Sequence, residues 1–174
     1  NGLSFYFLFG FGINCATNNI HPKAKVQNVD YLINQGKLLW DQRIDSLALG
    51  KAEHFINLAH KQRENDFELS ILCSQVSFTR AYFFEKDIRI QDSLFFQGSQ
   101  SCKKAVMIHQ DFIPIYKLSK GDSAFKLLSA IADAPLSTVP GLYWWAVNLG
   151  MYLNNQPVLN RIKQRELLEV IMHR

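Results

Sequence analysis

Glycine and proline are scarce in this 174-residue chain, with only nine and five. So few turn formers exclude a collagen repeat or a long flexible linker, and they weigh against a turn-dense β-sandwich. Cysteine is scarcer still. Cys15, Cys73 and Cys102 are an odd set with no CxxC pair, which argues against a disulfide framework or a zinc site. A strong excess of one charge is missing as well: the net charge is +4, with nine basic against nine acidic residues in 1–87 and ten against six in 88–174. That surplus is too diffuse for a dedicated nucleic-acid surface.

Catalytic patterns are also absent. The chain contains no GxSxG, HExxH, Gly-rich phosphate loop or EF-hand loop. Ser101-Cys102-Lys103-Lys104 and Ser123-Ala124-Phe125-Lys126 both spell SxxK, but twelve Ser and twelve Lys make about one such match expected by chance, and the companion motifs are missing. His54 and His60, six apart, point to different helix faces, whereas His60 and Glu64, four apart, read as a surface pair. Lys103-Lys104 and the cluster from Arg161 to Arg165 read as solvated faces without the aromatic interleaving of a nucleic-acid binder. No enzyme, cofactor or metal is expected.

What is present is a 48% hydrophobic chain with 20% charged residues, enough for a sizeable core. Residues 3–13 form an uncharged apolar run. At ~1.5 Å rise per residue such a run is too short for a bilayer core of ~30 Å, but it suits the apolar region of an export signal. Directly after it, Asn14-Cys15-Ala16-Thr17-Asn18-Asn19 turns polar. This resembles a bacterial lipoprotein signal with a relaxed lipobox, in which Gly12 and Asn14 stand where an aliphatic and a small residue are usual. A structural apolar segment with a buried Cys15 is the other reading. The expected organisation is a signal-like segment over 1–15, a tether over 16–26 and a helical domain over 27–174. The chain opens on Asn1 rather than Met, so its natural start is expected to lie upstream.

From residue 27 onward apolar positions recur at spacings of three and four, the pattern of amphipathic helices. Val29, Ile33, Gly36 and Trp40 mark a first stripe, with Leu32 and Leu39 beside it; Ala48, Ala52, Phe55 and Ala59 mark a second. A third helix is expected from Asn65, capped by Asn65 with Glu68, through Phe67, Ile71, Phe78 and Tyr82. Phe95, Gly98, Cys102 and Ala105 define a fourth. A turn is expected around Pro114, and Ile113-Pro114-Ile115-Tyr116 is the nearest approach to a strand. Phe125, Leu128 and Ala132 mark a short helix that Pro135 ends. Thr138 is placed to cap the next helix, with Pro140 in its first turn, and a last helix runs from Pro157 through Ile162, Leu168 and Ile171. The fold class predicted is all-α.

Small residues sit where paired helices need close contact. Ala52-x-x-x-Ile56-x-x-Ala59 has the second-helix spacing of a tetratricopeptide repeat, Gly98-x-x-x-Cys102-x-x-Ala105 repeats it 46 residues later, and Leu149-Gly150-x-x-Leu153 looks like the first-helix element. Any crossing helix pair also favours small residues, so ordinary helical packing is an equal reading. The block Tyr143-Trp144-Trp145 is distinctive because consecutive residues step by about 100° around a helix and cannot share one core. Trp145 goes with Leu142 and Leu149 on the core stripe. Trp144 and Asn148 share another face, where an aromatic and an amide suit a ligand cavity or partner surface. A helix buried on several sides is the competing reading.

Taken together, Gly36…Trp40-x-x-Arg43…Leu49-x-Lys51-Ala52, Ala81-Tyr82-Phe83-Phe84, Phe96-x-Gly98, Cys102-x-x-Ala105 and Pro140-Gly141-Leu142-Tyr143-Trp144-Trp145-Ala146-x-Asn148-Leu149-Gly150 resemble the T component (TatT-like) of tetratricopeptide-repeat-associated TRAP transporters. The resemblance covers residues 27–174. It implies stacked antiparallel helical hairpins in a cryptic tetratricopeptide-like α-solenoid, in a periplasmic lipoprotein without enzymatic activity. It also implies a homotrimer that binds the solute-binding P component and a small hydrophobic ligand, touching the membrane only through its lipid anchor. Tyr143, Trp144 and Asn148 are the expected ligand or partner surface. Further hairpins follow the aromatic block in that family, whereas this chain stops at Arg174, so the helical domain is expected to be incomplete at its C-terminus. The alternative is a tetratricopeptide-like scaffold lipoprotein in envelope assembly.

The apolar run ending at Cys15 predicts acylation there. Expressed in a bacterial host with a clickable fatty acid, the chain should take up label, and Cys15→Ser should abolish it. Label that survives the substitution would place the lipid elsewhere.

Overall fold

The computed structural model describes residues 28–174. They form α1 (Val29–Trp40), α2 (Ser46–Gln62), α3 (Phe67–Phe83), α4 (Ile88–Met107), α5 (Phe112–Leu118), α6 (Ser123–Ala132), a 3₁₀ turn (Leu136–Thr138), α7 (Val139–Asn154) and α8 (Val158–His173). No strand occurs among the described residues, and the fold is all-α.

The starts of α1, α2, α3, α4 and α6 share one cause. Asn28, Asp45, Asp66, Asp87 and Asp122 each turn a side-chain oxygen onto a first-turn amide, at 2.7 Å for Leu47 and 3.0 Å for Leu69. Each such cap stabilises by about 1 kcal/mol, and the four carboxylates also sit at the positive end of the helix dipole. The cap of α3 is therefore Asp66, not Asn65, whose neighbour's carboxylate reaches the amide first.

Close contacts give the pairing. Gly36 lies against Ile56, where an added Cβ would come within 2.6 Å of Cγ1, and Arg63 pairs with Asp30 at 2.8 Å, so α1 and α2 are antiparallel. Phe78 against Phe95 and the Cys102 thiol against the Ser70 carbonyl do the same for α3 and α4. Gly98 against Asn148 and Val106 against Gly141 lay α7 antiparallel on α4. Phe67 with Gly141 and Ser74 with Asn148 then make α7 parallel to α3. The result is a stack of antiparallel hairpins, α1/α2, α3/α4 and α7/α8, with α5 and α6 inserted before the last. Helix α3 is central: it packs on α2, α4 and α7, which explains why the unbroken run Leu69 to Ser74 is buried. Arg80 reaches back to Glu53 and fixes α3 against α2.

Three buried clusters result among the described residues. One joins Leu32, Leu49, Ala52, Ile56, Ala59 and Val76; a second gathers Val106, Phe112, Ile131, Leu142, Trp145 and Ile171; a small third holds Ala81, Leu94 and Phe95. Several expectations shift here. The segment around Pro114 is the helix α5 rather than a turn or strand, because Pro114 falls in the first turn, where its missing N–H is an orphan anyway. Helix α6 buries Ala130 and Ile131, and Ala134 just beyond it, rather than the Phe125–Ala132 stripe; Phe125 and Ala132 are exposed because they lie on the face of α6 opposite Leu127, Ala130 and Ile131, which meet the core. Thr138 stands at the cap position of α7, but its hydroxyl donates backwards to the Pro135 carbonyl at 2.8 Å. Gly150 meets nothing within 4 Å, so it serves no close crossing, unlike Gly36 and Gly98.

That contrast is testable. An Ala at position 98 would place Cβ 2.6 Å from Asn148 Oδ1 and 2.8 Å from Cγ. Gly98→Ala should lose about 1–3 kcal/mol by overpacking. Gly150→Ala, in open space inside a helix, should gain about 0.5–1 kcal/mol. Denaturant unfolding of the two variants checks both signs.

Candidate functional site

Asn148 is fully buried, on the face of α7 turned to α3 and α4. Its Nδ2 donates to the Ser74 hydroxyl at 2.8 Å, the Trp144 carbonyl at 3.1 Å and the Ser74 carbonyl at 3.3 Å. Two carbonyl acceptors fix which end of the amide is nitrogen. Oδ1 has no hydrogen-bond donor and faces Gly98, whose missing side chain leaves room for it. Orphaning a buried carbonyl costs about 1–3 kcal/mol. Beside the amide, the Cys102 thiol meets the Ser70 carbonyl, and Ser70 Oγ meets His60 Nε2 at 3.0 Å. Burial, then the neighbouring Cys102, pushes the Cys73 thiol up to about 12, and burial does the same for Cys102. Neither is a thiolate nucleophile near neutrality. Burial also holds His60 below its ordinary value. Glu64 is taken by Lys104 at 2.6 Å, so the expected His60–Glu64 pair gives way to two contacts across helices.

Trp145 is buried on the core stripe. Tyr143 and Trp144 belong to a chain of aromatic contacts running from α3 to α7. Phe83 meets Tyr82 edge-on at 4.9 Å, Tyr82 stacks on Phe78 at 5.4 Å, Phe78 meets Trp144 at 5.7 Å, and Trp144 meets Tyr143 at 5.4 Å. Phe78 also contacts Phe95 of α4, which anchors the middle. The ends face solvent: Phe83 is 66%, Tyr82 54% and Tyr143 52% exposed, while Trp144 is half-buried. Such a surface, rigid below and exposed above, suits a protein partner. Tyr143 and Trp144 are thus brought together, and Asn148 lies one turn beneath them.

Spacing alone did not reveal a cleft of about 230 Å³ between α4, α7 and α8. Trp145, Leu149, Leu153 and Leu167 contribute apolar lining, Phe96 and Tyr152 form a tilted aromatic pair at 5.1 Å, and Lys103 and Lys163 supply charge. The Lys103 ammonium lies 5.8 Å from the centre of the Trp145 ring, a cation–π contact rather than the solvated position expected for it. The lining comes from the consecutive helices α7 and α8 and from α4, far earlier in the chain, and only the Trp145 and Leu149 stripe hinted at it. Among the described residues no cluster of His, Cys, Asp or Glu is placed to hold a metal, and no helix is long and apolar enough to cross a membrane. Cys15 lies outside the described residues.

No known protein family, curated protein or solved structure matches this chain.

The three neighbours on α7 should separate experimentally. Trp145→Ala should cost about 3–5 kcal/mol in unfolding free energy, as for a buried Trp. Asn148→Ala should cost about 1–3 kcal/mol, because the Ser74 groups lose their donor. Trp144→Ala should cost less than Trp145→Ala and should weaken any partner bound over the aromatic chain. Equal losses for Trp144 and Trp145 would make the whole block ordinary core.

Proposed function

We propose that this chain is a non-enzymatic accessory component of a TRAP-type transport system. It works in the bacterial periplasm and is held to the membrane by a lipid on Cys15. In this reading it binds the solute-binding P component, assembles as a homotrimer and holds a small hydrophobic ligand. The observation that carries the reading is the cleft between α4, α7 and α8, whose apolar lining suits holding a ligand without reacting with it. The stacked hairpins are the architecture that the family resemblance implies. The aromatic chain ending at Tyr82, Phe83 and Tyr143 offers area for the protein partner.

That same aromatic chain favours the second reading, a tetratricopeptide-like scaffold lipoprotein in envelope assembly that grips peptide segments. Light scattering on the full-length protein, with and without the solute-binding protein encoded beside it, distinguishes the two. Three chains per particle and a stoichiometric complex with that protein are expected. A monomer that ignores it, or a gene neighbourhood lacking both a solute-binding protein and a permease, would overturn the transport reading.

A further inference from the structure

We propose that the cleft between α4, α7 and α8 selects small amphiphilic anions, with Lys103 and Lys163 holding the charged head over an apolar floor. The proposal rests on reading this cleft as a ligand site and adds the charge and size of what it takes. Size comes from the volume: 230 Å³ lies below the roughly 300–1,000 Å³ of ordinary ligand sites, which suits a single short chain rather than a two-chain lipid. Sign comes from the lining, whose charged members, Lys103 and Lys163, are both cationic. Neither lysine belongs to an ion pair among the described residues, although Lys104, next along α4, is held by Glu64. Carboxylates are thus available on the neighbouring surface, yet none lines this cleft.

Placement completes the argument. The Lys103 stem crosses a half-buried position, and its ammonium sits 5.8 Å from the Trp145 ring centre. The ring's negative face holds the cation above the floor. There, beside Trp145, Leu149 and Leu153, the local dielectric is lower than in water, which strengthens attraction to an anionic head. Gln100, Gln156, Asn160 and Gln164 also line the cleft and add amide donors for its oxygens. An alkyl chain shorter than the floor leaves apolar surface wet, and a cationic head meets two like charges. A short-chain carboxylate satisfies both halves.

The test compares hexanoate, 1-hexanol and hexylammonium on the full-length protein, by calorimetry and by the NMR shift of the Trp145 indole. Hexanoate should bind at least tenfold more tightly than hexanol, and hexylammonium should not bind. Lys103→Gln and Lys163→Gln should each weaken hexanoate at least fivefold while leaving hexanol binding unchanged. Equal binding of hexanoate and hexanol, or lysine variants that bind hexanoate like the parent, would overturn the anion proposal and leave the cleft as a hydrophobic site. If neither compound binds or moves the indole, the ligand-site reading itself falls with it.

Discussion

The arrangement of α7 depends on one buried amide. Asn148 Nδ2 reaches two groups of Ser74 on α3, while Oδ1 occupies the space that Gly98 leaves on α4. Three helices from two hairpins are thereby locked in rotation and height. Because residues step by about 100° around a helix, fixing Asn148 also fixes where its neighbours point. Trp144, four residues earlier, is directed to Phe78; Trp145 and Leu149 are directed to the cleft. A buried amide contributes little net stability compared with an apolar side chain of similar size, and here one lone pair goes without a donor. What it supplies is orientation: a Leu in its place would tolerate several rotations of α7, whereas the amide tolerates one.

The helical stack was legible in the sequence because its causes are local. Stripes at three and four residues marked α1 to α4, and Gly36, Ala52, Ala59, Gly98 and Ala105 all occupy the crossings that their spacing suggested. The errors have a common origin. The roles of Pro114, Thr138 and Phe125 depend on where along or around a helix each falls, which residue type and spacing alone do not fix. Pro114 is harmless because α5 begins two residues before it, and Phe125 is exposed because it falls on the face of α6 opposite Leu127, Ala130 and Ile131. Asn148 is held inside by Ser74, 74 positions earlier, a contact that spacing along α7 does not show. The cleft was hidden for the same reason: three helices must be in place before it exists.

This changes what the family resemblance can carry. In its most specific piece, the aromatic block with Asn148 and Gly150, Tyr143 is exposed, but Leu142, Trp145, Asn148 and Leu149 are buried, and so are Gly98, Cys102 and Ala105 of α4. They describe how α3, α4 and α7 cross, which is information about architecture. A function argued from them alone would be a function argued from a fold, and folds host many functions. The chemistry that meets a ligand or partner comes instead from side chains at the edges of that core: Tyr82, Phe83 and Tyr143 above the aromatic chain, and Lys103 and Lys163 at the cleft. Only Tyr82, Phe83 and Tyr143 of these five belong to the resembling motifs.

The cleft joins a firmly held helix to a loosely held one. Its floor lies on α7, which carries Asn148 and buries Leu142, Trp145, Leu149 and Leu153. Its outer wall is α8, where Ile171 alone is buried and Val158, Leu159 and Ile162 face solvent. At its C-terminal end α8 is secured by Ile171 in the core and by Arg174 Nε donating to the Ala134 carbonyl at 2.5 Å. Local opening free energy follows buried contact, so the N-terminal half of α8 is the element most easily displaced from the cleft. The two lysines are divided across this difference. Lys103 is positioned by its ring contact on the rigid side, and Lys163 rides on the yielding wall. An anion that bridges them draws the wall onto the floor, so its binding energy contributes to ordering α8 as well as to holding the head group.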